Sequence, residues 1–166
     1  MGYILAFPIL FITMMLQMVV INKIPLLYGY ADLIVLVIVI YALHPKANHS
    51  WFWGLLAAGL YGYVSKLPYL VPIVIFASII ISAQYIKRRI WQMPIIAYIF
   101  MVIMASFAMQ VLSLVLLKFT GSSLPFMESV NLIIIPSVML NLLFAIPIYF
   151  IFNDFLDVVF TEKEKL

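Results

Sequence analysis

Residues 93–117 read MPIIAYIFMVIMASFAMQVLSLVLL, a run that contains no Asp, Glu, Lys or Arg. An α-helix needs about 20 predominantly apolar residues to cross the hydrocarbon layer of a bilayer, which is about 30 Å thick. The run is long enough to cross that layer and carries no charge that would oppose its insertion. It therefore predicts a membrane-spanning helix.

The rest of the chain repeats this pattern. Hydrophobic residues make up 67% of the 166 residues and charged residues 9%, whereas about a quarter of the residues in a soluble domain are charged. The sequence therefore predicts one all-α polytopic membrane domain over 1–166, with a short polar tail at 153–166. About six transmembrane helices are expected, at about 3–21, 28–43, 50–65, 68–86, 93–117 and 131–152.

The distribution of basic residues predicts the orientation of these helices. With six spans and both termini inside, six Lys and Arg residues fall on the cytoplasmic side: Lys46, Lys87, Arg88, Arg89, Lys163 and Lys165. Three fall outside: Lys23, Lys66 and Lys118. Because Lys and Arg accumulate in cytoplasmic loops, both termini are expected in the cytoplasm. Trp51, Trp53 and Trp91 fall near span ends, where indole rings favour the membrane interface.

Residues that carry chemistry are scarce. Cysteine is absent, which excludes disulfides, thiolate metal sites and cysteine nucleophiles. No Gly-x-Ser-x-Gly motif marks a hydrolase, and the single basic triplet at 87–89 is too small for a nucleic-acid surface. His44 and His49 lack nearby carboxylates that would complete a metal site. We therefore expect no enzyme activity, metal, cofactor or nucleic-acid partner.

Three acidic residues lie near predicted span ends. Asp32 stands at the start of span two, and Asp154 and Asp157 follow span six. A carboxylate inside a membrane is costly and marks a functional site when it occurs. Near a helix terminus, however, an Asp is favourable as a cap. All three are interpreted as interfacial caps or solvated charges rather than catalysts, and Asp32 is also a candidate for helix packing or partner contact.

Amides within the spans are interpreted as contacts between helices. Gln17 lies late in span one and Asn141 deep in span six, where hydrogen bonds between helices stabilise packing by about 0.6–2 kcal/mol. Pro136 and Pro147 flank Asn141 and remove backbone donors, which leaves carbonyls that must find partners inside the protein. Asn141 is expected to brace this broken helix.

A stripe of small residues marks span three. Gly54, Ala58 and Gly62 follow each other at intervals of four and share one face of the helix. Small side chains let a second backbone approach closely. That neighbour is either another helix of this chain or a helix of another protein, and the internal contact is the preferred alternative.

Four short motifs together resemble the MreD family of rod shape-determining membrane proteins, over nearly the whole chain. They are Leu16-Gln17 late in span one, Ala31-Asp32-Leu33-Ile34 opening span two, a Gly-rich span three that runs into Leu67-Pro68, and Pro136 to Asn141 followed by Pro147. Ala31 stands where the family often has proline. Gly59-Leu60-Tyr61-Gly62-Tyr63 lacks the acid of the family's Gly-Leu-x-x-Asp motif.

The resemblance implies six helices in a fold similar to the substrate-binding subunits of energy-coupling-factor vitamin transporters. It implies a non-catalytic scaffold in the bacterial cytoplasmic membrane, surrounded by lipid, that binds MreC and joins MreB, RodA and a class B penicillin-binding protein in lateral peptidoglycan synthesis. Because fold does not fix function, a vitamin-binding transporter subunit is the alternative. An intramembrane enzyme is a third possibility that the scarcity of paired ionisable residues disfavours.

Overall fold

The computed structural model describes residues 2–23, 26–47, 49–65, 70–89, 94–119 and 126–161, and these residues are nearly all helical. Trp91 and the Leu67-Pro68 turn lie outside them. The helices are α1 (Gly2–Val19), α2 (Leu33–Leu43), α3 (Ser50–Val64), α4 (Leu70–Arg89), α5 (Pro94–Phe119) and α6. Helix α6 is continuous but changes type: it is α-helical over Phe126–Ser129, π-helical over Val130–Ile134 and α-helical again over Ile135–Thr161.

Three of these helices are long and apolar enough to cross a membrane. They comprise Leu70–Arg88 of α4, Ile95–Leu116 of α5 and Phe126–Val159 of α6. Apolar but shorter helical stretches cover Tyr3–Val19 and Leu33–Leu43. The fold is thus a helical bundle with the character of a membrane protein.

Helix α2 forms the centre of the bundle. It contacts each of the other five helices, and every residue from Leu33 to Ala42 is buried. This agrees with its sequence, LIVLVIVIYAL, which is apolar on all sides and offers no face for water. At 1.5 Å per residue, however, its 11 residues span only about 16 Å, roughly half of a bilayer's hydrocarbon layer.

The segment before α2 explains its short length. The predicted span at 28–43 starts five residues before the helix does, because a tight turn and an extended segment occupy 26–32. Leu26 and Gly29 exchange backbone hydrogen bonds of 3.0 and 2.9 Å. Leu27, within this turn, has a left-handed φ of 55°. Leu26, Leu27 and Tyr28 are apolar, so hydropathy alone cannot distinguish this turn from helix.

Contacts between the ends of helices show how the helices alternate in direction. The Tyr3 ring at the start of α1 stacks on His49, with centroids 4.1 Å apart. The Lys87 ammonium near the end of α4 donates to the Ala47 carbonyl at 3.3 Å, and His44 contacts Asp157 of α6. The start of α1, the α2–α3 loop, the end of α4 and the C-terminal part of α6 therefore lie at one end of the bundle.

One tryptophan differs from its predicted place. Trp53 was expected at the membrane interface, but it is 1% exposed and stacks on Tyr41 of α2 at 3.8 Å between ring centroids. Trp51, two residues earlier, is exposed. Successive positions on a helix point about 100° apart, so two residues near one span end can lie on opposite sides of it.

Candidate functional site: a buried polar network around Asp32

Asp32 is the centre of a polar network inside the bundle. It occupies the N-cap position of α2, but its side chain makes no capping hydrogen bond and is 1% exposed. Its Oδ1 instead accepts hydrogen bonds from the Gln17 amide and from the Tyr61 hydroxyl, both at 3.1 Å. The interpretation of Asp32 as a solvated charge or a cap was therefore wrong, because α1 and α3 close over it and supply both donors.

Gln17 connects α1 to the start of α2. Its Nε2 donates to Asp32, while its Oε1 accepts the Ile34 backbone N–H at 3.4 Å. The first N–H groups of any helix lack partners within that helix. Gln17 thus supplies from α1 the capping bond that the Asp32 side chain does not make.

Asn141 connects α6 to two other helices. Its Oδ1 accepts the Asp32 backbone N–H at 2.6 Å, and its Nδ2 donates to the Ser106 hydroxyl of α5 at 2.8 Å. Both Asn141 and Ser106 are fully buried. A single amide therefore satisfies a donor of the α2 segment and an acceptor on α5.

The extended segment before Asp32 runs along the π-helical part of α6. Pro136 has no N–H to donate to the Leu132 carbonyl four residues earlier. The Tyr28 N–H donates to that carbonyl at 3.1 Å, and the Tyr30 N–H donates to the Ser137 hydroxyl at 3.3 Å. Backbone that is not helical is tolerated at membrane depth when protein groups satisfy it in this way.

The lengths of the two segments agree with this pairing. From Tyr28 to Asp32 the chain can advance at most about 13 Å, at about 3.3 Å per residue. From Leu132 to Asn141, α6 advances about 13 Å, at 1.5 Å per residue. The backbone N–H groups of Tyr28 and Asp32 can therefore both reach acceptors on α6.

Gly29 lets the two backbones approach. A Cβ at this position would lie 2.6 Å from the Ser137 backbone nitrogen and 2.9 Å from the Ile133 carbonyl oxygen. Real Cβ atoms do not make such contacts, and the atoms concerned belong mainly to main chain that cannot rotate away. Only glycine fits here.

The residues singled out from the sequence fall into two groups, with Pro147 outside both. Gln17 and Asn141 each hydrogen-bond to Asp32, and Pro136 frees the carbonyl that holds the same segment. The small stripe of α3 lies apart, where Gly54 faces the Ile80 side chain and the Phe76 carbonyl of α4. Its other members, Ala58 and Gly62, are also buried. Pro147 is exposed on α6.

Sequence reasoning missed four members of the site: Tyr61, Ser106, Ser137 and Gly29. Tyr61 lies within the Gly59 to Tyr63 motif, but it occupies one of the two variable positions of the family's pattern, which therefore gives no signal for it. Tyr63, where the family has that acid, is 81% exposed and points away from the network. The serines carry no local signal, because their partners are 35 and 107 residues away in the chain.

A cavity of about 300 Å³ borders the network. Four polar residues line it, together with apolar side chains of α1, α2 and α3: Gln17, Tyr30, Tyr61 and Ser65. Asp32 Oδ2 and Ser65 Oγ are buried without a hydrogen-bond partner in the described part of the chain. No described Lys, Arg or His forms an ion pair with Asp32, and the hydrogen bonds from Gln17 and Tyr61 offset part of the cost of burying it.

Comparisons of the whole chain with protein-family models, with curated proteins and with solved structures found no match.

Proposed function

We propose that this protein is a non-catalytic membrane scaffold of the bacterial cell-elongation machinery, of the MreD type. One observation carries the proposal. Gln17 and Asn141 both hydrogen-bond to Asp32, from 15 and 109 residues away in the chain, so residues from three of the four motifs that resemble the family join at one position. Their common role in joining helices gives a physical reason for the motifs to occur together.

The chemistry of the network supports a structural role. Asp32 Oδ1 is occupied by two donors from neighbouring helices, and the carboxylate is enclosed by protein. General acid or base catalysis requires a titratable group within hydrogen-bond reach of a substrate. Asn141 likewise uses both ends of its amide to join helices.

The scaffold is proposed to cross the bacterial cytoplasmic membrane six times with both termini inside. The second crossing consists of residues 30–32 followed by α2, which together advance about 26 Å, most of the thickness of the hydrocarbon layer. Lys46, Lys87 and Arg88 lie at the end of the bundle where α1 starts, which supports a cytoplasmic location for that end, because Lys and Arg are enriched in cytoplasmic loops. Single cysteines at Pro45 and Met127 should then react with an impermeant reagent from opposite sides.

MreC is the proposed direct partner, and RodA, a class B penicillin-binding protein and MreB complete the proposed assembly. The test is affinity purification of the tagged full-length protein from native membranes, followed by mass spectrometry. Recovery of MreC or RodA supports the scaffold. Recovery of a pair of ATPases without them would contradict it.

A vitamin-binding transporter subunit is the second candidate because the cavity beside Asp32 is large enough for a small ligand. It ranks second because Gln17 and Tyr61, two of the polar residues lining the cavity, already hydrogen-bond to Asp32. A thermal-shift screen of vitamins in detergent separates the two functions. A vitamin that stabilises the wild type but not Tyr61→Phe would favour the transporter.

A further inference from the structure

A second cavity, of about 580 Å³, lies at the opposite end of α2 from Asp32. The α2–α3 loop, the end of α4, the start of α5 and the C-terminal part of α6 surround it. Apolar side chains form one part of its wall: Leu43, Ile86 and Ala97. Polar and charged side chains form the other: His44, Lys46, Lys87, Tyr149, Asn153 and Asp157.

Two lysines give this cavity its positive charge. Lys46 comes from the α2–α3 loop and Lys87 from α4, and both side chains are half-buried. The Lys87 ammonium donates one hydrogen bond, to the Ala47 carbonyl, and an ammonium has three donors. Neither lysine forms an ion pair with an acid in the described part of the chain.

Asp157 is the acidic residue of the cavity wall, and its carboxylate contacts His44 and Asn153. Its Oδ1 contacts His44 Nε2 at 3.3 Å, and its Oδ2 accepts from the Asn153 amide at 3.2 Å. Its side chain is 53% exposed, so water also screens its charge. The cavity therefore retains a net attraction for an anion.

We propose that this cavity binds the phosphate of an anionic lipid headgroup, with Lys46 and Lys87 as its cationic ligands. The shared chemistry is a phosphate anion, and two features favour a lipid as its source. The cavity lies at the ends of helices that are long and apolar enough to cross a membrane, where the headgroups of a bilayer would lie, and its apolar wall suits the adjoining glycerol and acyl carbons. Basic pockets between transmembrane helices bind phospholipid headgroups elsewhere by the same means. The inference requires membrane insertion and does not depend on the scaffold function.

The experiment measures lipid retention by native mass spectrometry of the full-length protein, released from micelles doped with phosphatidylglycerol or with phosphatidylcholine. The wild type should retain phosphatidylglycerol in preference to phosphatidylcholine. Each lysine removed should weaken that retention about fivefold, and the Lys46→Gln/Lys87→Gln pair more than tenfold. The matched control is Lys23→Gln/Lys118→Gln, which removes two exposed lysines near the opposite end of the bundle and should leave retention unchanged.

Three results would overturn the proposal: equal retention of the two lipids, retention that the cavity variant leaves intact, or an equal loss in the control. Competition with inorganic phosphate tests whether the phosphate comes from a lipid. If it displaces phosphatidylglycerol at millimolar concentration, the site takes free phosphate and the lipid source is wrong. If the double variant does not fold, lipid retention by Lys46→Gln alone tests the proposal. This single variant keeps the hydrogen bond from Lys87 to Ala47.

Discussion

The contact between α6 and the segment before α2 and the contact between α3 and α4 both depend on a glycine, but their neighbours differ. Gly29 faces main-chain atoms of α6, whereas Gly54 faces mainly the Ile80 side chain. Main chain in a helix is fixed, while the end of an isoleucine can rotate or shift. The first contact therefore specifies one arrangement of the helices, and the second tolerates adjustment.

The largest expected effect is at the first contact. Gly29→Ala places a Cβ against the Ser137 nitrogen and the Ile133 carbonyl, which forces the extended segment away from α6 and breaks its hydrogen bonds. We expect a loss of about 3 kcal/mol in the free energy of unfolding, seen as a fall of roughly 6–12 °C in melting temperature in detergent. Gly59→Ala is the control, because a Cβ there meets nothing within 4 Å. Equal melting temperatures for the two variants would contradict the close approach.

The next largest effect concerns the polar contacts of the same region. Asn141→Ala leaves the Asp32 N–H and the Ser106 hydroxyl without their partner, and should cost about 2 kcal/mol. Asn131→Ala removes the same amide from an exposed position of α6 and should stay within about 0.5 kcal/mol. Urea or thermal unfolding in detergent measures both. If Asn141→Ala lowered the free energy of unfolding no more than Asn131→Ala does, the polar network would not stabilise the packing of α6.

A smaller effect is expected at the α3–α4 contact. In Gly54→Ala the new methyl group meets the flexible end of Ile80, while alanine favours the helix by up to about 1 kcal/mol over glycine. We expect a net change below about 1 kcal/mol in either direction, measured by the same thermal unfolding. A loss as large as that of Gly29→Ala would show that both contacts are equally rigid and would remove the distinction.

The smallest effect is expected at the second cavity, where His44 contacts Asp157. Burial lowers the pKa of the His44 imidazole below 6.5, with help from Lys46 and Lys87, although Asp157 opposes the shift. Because the unfolded chain then binds the proton at higher pH than the folded one, stability falls as pH drops through 6.5. The melting temperature should fall less in His44→Gln than in the wild type between pH 7.5 and 5.5. Identical pH profiles would exclude His44 as a contributor.

Local patterns in the sequence predicted the helices of this fold well. Runs without charge located the long helices. The expected break in span six was wrong, because the helix is continuous through Pro136 and Pro147, but Pro136 indicated a carbonyl that needs a partner. The Tyr28 N–H is such a partner for Leu132. These features were accessible because hydropathy and proline chemistry act within a few residues of the chain.

The hydrogen-bond partners within the site could not be predicted from local sequence in the same way. Asp32 has the same neighbours in sequence whether water or Tyr61 surrounds it, so the local sequence does not distinguish a solvated acid from a buried one. Nothing near Ser106 indicates that Asn141 will donate to it. Hydropathy likewise started the predicted span at Tyr28, although the segment before Leu33 is held to α6 by hydrogen bonds, and α6 comes more than 100 residues later.

The distance in sequence between the extended segment and α6 has a consequence for biosynthesis. Asn141 follows Asp32 by 109 residues, which a ribosome adds in about 5–20 s. Throughout that interval the N–H groups of Tyr28 and Asp32 lack the acceptors that α6 provides, and α2 has not yet acquired its last neighbour. A nascent chain that stops before Asn141 therefore leaves the Asp32 N–H without the acceptor that it has in the folded protein.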